Sequence, residues 1–149
     1  MKKGALNGLL LVVLITSTSC TTGHSLGVKD GRLAPCPDSP NCVSTQSDDD
    51  RHAMKPLPFV GTRSEIRERI LKIIGGMKRS TIVTVTDSYI HAEFRSVLWR
   101  FVDDVEFLLD ENTRLVQFRS ASRVGIYDFG VNKKRMKEIS TKYLKPLEQ

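Results

Sequence analysis

Residues 81–120 read TIVTVTDSYI HAEFRSVLWR FVDDVEFLLD ENTRLVQFRS, and the alternation in this stretch decides the fold. Side chains of a strand point to opposite faces in turn, so a period of two marks strands that bury one face. Thr81 to Asp87 sets Ile82, Thr84 and Thr86 against Val83 and Val85. From Tyr89 to Phe101, Ile90, Ala92, Phe94 and Leu98 fall on one face, with His91, Glu93 and Arg95 on the other. Val105, Phe107 and Leu109 define a third strand with Asp104 and Glu106 opposite. In a fourth, Val116 and Phe118 oppose Gln117 and Arg119, after a turn at Glu111-Asn112-Thr113. Alternation this clean predicts an antiparallel sheet with one buried face.

Two helices flank these strands. Thr62 and Glu65 stand at capping-box spacing, Ile66, Ile70, Ile73, Ile74 and Met77 follow at helical spacing, and Gly75-Gly76 ends the helix. A second helix is predicted from about Lys133 to Leu144, with Asn132 as its cap, Met136, Ile139 and Tyr143 as its inner stripe, and Pro146 as its stop. The fold class is therefore α+β: a helix, a four-stranded antiparallel sheet and a helix, with the helices on the apolar face and a disulfide-clipped loop before them. At 149 residues, 40% hydrophobic and 27% charged, the chain suits one globular domain and is not disordered.

The N-terminus reads as an export signal. Lys2 and Lys3 precede the apolar run Leu9 to Ile15, and the small residues Ser17-Thr18-Ser19 precede Cys20. The expected organisation is a leader over residues 1–19, a polar tether over 20–34 and a single domain over 35–149. A cysteine directly after small residues resembles the lipid-acceptor site of bacterial lipoproteins, and lipidation of Cys20 would anchor the chain in the membrane of a cell envelope, facing the periplasm. Ser17 stands where such sites usually carry Leu, Val or Ile, so ordinary cleavage leaving Cys20 a free thiol is the alternative. Thr21, rather than Asp, favours the outer over the inner membrane by resemblance to lipoprotein sorting rules. The formal charge is +6, or about +4 without Lys2 and Lys3. That mild excess fits a solvated basic face and is only a weak pointer to anionic lipid, polysaccharide or nucleic acid. The expected partner is an anionic lipid or glycan, and no nucleic acid.

The cysteines are three, an odd number for an exported chain. With Cys20 acylated, Cys36 and Cys42 remain as one pair in an oxidising compartment, where a bond between them would persist and stabilise by roughly 2 kcal/mol. A metal pair or a redox-active pair are the alternatives, the first lacking nearby His or Cys at zinc spacing, the second the tighter spacing of catalytic pairs. From Pro35 to Pro58 the chain shows no periodicity, and its Ser47-Asp48-Asp49-Asp50 run reads as flexible.

Three stretches resemble the family called domain of unknown function 1499. They are Cys36-Pro-Asp-Ser-Pro-Asn-Cys42-Val43-Ser44, Phe101-Val-Asp-Asp-Val-Glu-Phe107, and Arg119-Ser-Ala-Ser-Arg-Val-Gly125 leading into Gly130-Val-Asn-Lys-Lys-Arg135. The resemblance spans Cys36 to about Tyr143. It implies no activity, cofactor or catalytic residue.

The sites come from the residues themselves. His91, Glu93, Arg95, Asp104, Glu106, Gln117 and Arg119 share the polar face of the sheet, either as a solvated surface or as a pocket covered by the Cys36–Pro58 segment. Asp104 and Glu106 can converge, whereas Asp103 points to the other face. With His91 they are the weak candidates for a hydrolase; Ser120, on the face opposite Arg119, makes a poor nucleophile for them. No metal set or cofactor is implied. The more suggestive group is Arg119 and Arg123 followed by Lys133, Lys134 and Arg135 at a helix start, where the dipole opposes cations. Either a bound anion or an internal carboxylate such as Asp128 compensates them. The favoured reading is a non-enzymatic module that binds a ligand or partner, with an anionic ligand at these five residues. Nothing in the sequence names a protein partner.

Overall fold

The computed structural model describes residues 25–146. The leader, Cys20 and the first part of the tether lie outside the described residues. Ten elements follow in order: β1 (Val28–Lys29), β2 (Arg32–Leu33), β3 (Cys42–Ser44), β4 (Leu57–Pro58), α1 (Arg63–Gly75), β5 (Ser80–Val85), β6 (Tyr89–Arg95), β7 (Val102–Asp110), β8 (Leu115–Ser122) and α2 (Val131–Leu144).

The main sheet has six strands rather than four. Its order is β3-β8-β7-β6-β5, with β4 pairing β8 beyond β3, and every pair is antiparallel. The two extra strands come from the Cys36–Pro58 segment. Strands of three and two residues are too short to display a period, so only their hydrogen bonds to β8 reveal them. Pro58 sits at an outer strand, where its missing N–H costs no ladder bond. Cys36 and Cys42 are joined in a disulfide at the entrance to β3.

The apolar face carries the core as expected. Ile66, Ile70 and Ile74 of α1 and Met136, Ile139 and Tyr143 of α2 pack on Ile90, Phe94, Phe107 and Phe118 of the sheet. The capping box forms at α1: the Thr62 hydroxyl accepts the Glu65 N–H, and the Glu65 carboxylate accepts the Thr62 N–H.

Three expectations fail here. The strand read as Tyr89 to Phe101 ends at Arg95, and Leu98 is solvent-exposed instead of facing the core. Ser96 closes a loop by donating its N–H to the Phe101 carbonyl and accepting the Phe101 N–H on its hydroxyl. Second, the stretch read as tether contains the β1–β2 hairpin. Asp30 and Gly31 both take positive φ, 51° and 73°, as a two-residue turn of this kind demands. Leu33 is buried, and its N–H donates to the Gln46 side-chain carbonyl. Third, the acidic run is ordered. Ser47 accepts the Asp49 N–H, and the Asp49 carboxylate takes the Arg51 amide and guanidinium.

Candidate functional site

Sheet register brings the polar residues of β6, β7 and β8 together. Glu106 stands opposite Arg119, its counter-charge, whereas Asp104 stands opposite Glu93, a like-charge pair that the Arg123 guanidinium bridges. The face is not solvated. Asp104 and Glu106 are fully buried, Arg119 is 2% exposed and His91 6%. The β1–β2 hairpin contributes cover: β2 packs on β7 and β8, and the Gly27 N–H just before β1 donates to Glu106.

Two knots of charge result. In the first, the Glu106 carboxylate accepts from Arg119 Nη1 at 3.0 Å, the Tyr89 hydroxyl at 2.7 Å and the Gly27 N–H at 2.7 Å. Burial and this bond to Glu106 push the Tyr89 hydroxyl pKa well up. In the second, Asp104 pairs with His91 Nε2 at 2.7 Å and accepts from Arg123 through Nε and Nη2, each at 2.8 Å. Arg123 also reaches Glu93, which holds Arg95 at 2.9 Å. Burial raises the Asp104 carboxyl, but the bonds from Arg123 and His91 together outweigh it and bring the pKa to about 2. A carboxyl held below its unfolded value stabilises the fold above that value, and the stabilisation is lost as pH falls through the folded one. The window is therefore from about pH 4 down to about pH 2, and the loss is on the order of 2 kcal/mol. Urea melts of wild type and Asp104→Asn should show a stability gap that narrows as pH drops through this window; a constant gap would refute the pairing.

Asp104 and Glu106 thus lie side by side, yet each is bound to its own arginine. Asp103 faces the helices and takes Arg135 Nη2 at 2.6 Å. Ser120 also faces the helices, bonding to Asn132 at 2.5 Å, on the side of the sheet away from His91.

The start of α2 differs from the sequence reading. The cap is Gly130 at φ 73°, and Asn132 is a buried residue of the first turn. Asp128 does the compensating: its carboxylate accepts the N–H groups of Gly130 and Asn132 at 2.9 and 2.8 Å. The Asn132 side chain ties the helix to the sheet, donating to the Asn41 carbonyl and the Ser122 hydroxyl and accepting from Ser120 and Arg135. Arg135 also lies over the Phe94 ring, 4.8 Å from its centroid. The five predicted anion ligands therefore divide. Arg119 and Arg123 hold carboxylates on the polar face and Arg135 holds one on the helical face. Lys133 and Lys134 are exposed and make no ion pair among the described residues.

Lys134 and Arg135 instead border a groove of about 640 Å³ between α2, the turn after α1, and β6. Lys78, Arg79, Arg95 and Lys142 join them, against the carboxylates Asp103 and Glu138. Sequence reading missed Lys78 and Arg79, which follow the end of α1 and come near α2 only through the packing of both helices on one sheet face.

The profile of a family described as protein of unknown function (DUF1499) matches residues 32–142. The chain belongs to this family. The DUF1499 match takes in the side chains of both knots, the disulfide and the groove, and begins within the β1–β2 hairpin, after Gly27. Comparison with curated proteins and with solved structures gives no match.

Proposed function

We propose that this protein is a non-enzymatic envelope lipoprotein that binds an anionic ligand in the groove bordered by Lys134 and Arg135. Residues 1–19 are its leader, and acylated Cys20 anchors it in a membrane, the outer more than the inner. One observation carries the binding reading: the groove is lined by six cations and two carboxylates. Asp103 is taken up by Arg135 and Glu138 by Lys142, so Lys78, Arg79 and Lys134 have no ion-pair partner among the described residues. Three unpaired cations around one concavity favour phosphate or carboxylate groups.

The hydrolase reading, with His91 and Asp104 or Glu106, rests on the 2.7 Å bond between His91 and Asp104, a base beside its orienting group. It has less support, because Arg123 already occupies both Asp104 oxygens. No hydroxyl or thiol bonds to His91 among the described residues.

The test has two arms. Cys20→Ser should move the protein from the membrane to the soluble fraction, because acyl chains supply the anchor. Retention of this variant in the membrane fraction would refute the anchor. In that soluble form, inorganic phosphate should raise the melting midpoint by ligand linkage, about 2.7 kcal/mol at a hundredfold excess over Kd. K78E/R79E/K134E should melt normally without phosphate and lose the response. A wild-type groove that ignores phosphate, or a variant that still responds, refutes the reading.

A further inference from the structure

The loop 96–101 between β6 and β7 and the segment 123–130 between β8 and α2 stand side by side at one end of the sheet. They are neighbours because β7 starts where β8 ends: Asp103 pairs with Ser122, and the Arg123 N–H donates to the Val102 carbonyl. Val97, Leu98, Trp99 and Phe101 are exposed on the first loop. Val124, Ile126, Tyr127 and Phe129 are exposed on the second. Leu98 is 78% exposed, Trp99 71% and Phe129 88%. A lone exposed apolar residue is ordinary, but a contiguous group on two touching loops marks an interaction surface.

The backbone holds this tip in place at a cost. Phe129 and Arg100 take φ of 54° and 52°, the left-handed region that a bulky side chain enters only under constraint. The Phe129 ring gains no burial in return. It packs edge-on against Tyr127, with 5.1 Å between centroids, so the two rings present themselves as a pair.

Charge decides which partner fits. The two loops carry Arg100, Arg123, which Asp104 and Glu93 already hold, and a single carboxylate, Asp128, which is turned inward onto the amides of α2. The groove adjoins the tip through Val97 and Val131, and Lys78, Arg79 and Lys134 lie along it. A tip of aliphatic and aromatic side chains with arginine and lysine behind it, and no outward carboxylate, has the chemistry of a bilayer interface. Aliphatic groups enter the acyl region, Trp and Tyr sit at headgroup depth, and cations meet anionic phosphates. We infer that this tip inserts into an anionic phospholipid bilayer, seating the groove on lipid phosphates. The headgroup part rests on the anion-binding reading of the groove; the apolar part does not.

Trp99 is the sole tryptophan of the chain, so the tip carries its own probe. The full chain is added to vesicles of phosphatidylglycerol mixed with phosphatidylcholine, and to phosphatidylcholine alone. Trp99 emission should shift to shorter wavelength and become protected from iodide in the first, and less so in the second. In the Cys20→Ser chain, L98S/F129S should lower partition into the anionic vesicles roughly a hundredfold, about tenfold or more for each lost apolar side chain. Both residues are exposed, so this variant should fold normally and keep its phosphate response. Trp99 that stays open to iodide in every vesicle overturns the inference. So does self-association of the Cys20→Ser chain that L98S/F129S abolishes, since a second copy would then cover the tip. If the phosphate response survives such a result, the groove reading stands alone. If Trp99 is protected while phosphate has no effect, the groove reading falls and the tip remains.

Discussion

Glu106→Gln is expected to cost about 3–5 kcal/mol, the usual penalty for removing one partner of a buried ion pair. The glutamine has nearly the same shape, so the effect is electrostatic rather than a cavity. Arg119 would be left charged at 2% exposure, and its Nε already has no hydrogen-bond partner. The new amide also replaces an acceptor with a donor among three donors, Arg119, Tyr89 and Gly27. Small domains are stable by only about 5–15 kcal/mol, so the variant should sit near the edge of folding. Replacing the whole pair, Glu106→Leu with Arg119→Met, should retain more stability than Glu106→Gln alone, because no charge is then stranded. Urea melts supply the measurement, read as a midpoint change at constant slope. A loss under about 1 kcal/mol, the range of exposed pairs, would mean that water reaches the pair and that the β1–β2 hairpin does not cover it in solution.

Asn132→Ala should follow, with a loss of about 3 kcal/mol, since buried groups left without partners cost about 1–3 kcal/mol each. Asn132 is fully buried, and truncation leaves the Asn41 carbonyl with the Ser122 N–H alone and removes partners of the Ser120 and Ser122 hydroxyls and of Arg135. The contrast lies one position along the chain. Lys133→Ala and Lys134→Ala should each change stability by no more than about 0.5 kcal/mol, as exposed substitutions do. If Asn132→Ala were as mild as these two, the anchoring of α2 to β3 and β8 would be refuted. The tip would then lose its support too, since segment 123–130 is held between β8 and this turn.

The two stability predictions concern residues that the sequence treated unequally. Glu106 and Arg119 were legible as neighbours on one face, because strand alternation is local and needs no knowledge of partners. Asn132 read as a cap, because Asn before a periodic run is a standard helix start. The helix begins earlier, and Asp128 supplies the acceptor instead. Nothing within a few residues of Asn132 announces that Asn41, Ser120 and Ser122 surround it. The loop at 96–101 misled for a related reason: Leu98 kept the period of β6 after the strand had ended, and the hydrogen bonds of Ser96 with Phe101 closed the chain before it.

What the sequence determined by itself is whatever repeats at short range. That includes the two helices with their stripes, the capping box of α1, the paired faces of β6, β7 and β8, and the positions of Cys36 and Cys42. What only the tertiary structure decided is which of those faces meets water. The Glu106 carboxylate lies 79 positions from the Gly27 amide that bonds to it. The hairpin carrying the cover is two residues per strand, too short to show a period. Burial of the charged face therefore depends on contacts between segments remote in the chain, where local pattern carries no information. The same holds for the groove, whose cations come from the turn after α1, from β6 and from α2, and for the tip, whose two loops touch only because β7 and β8 pair.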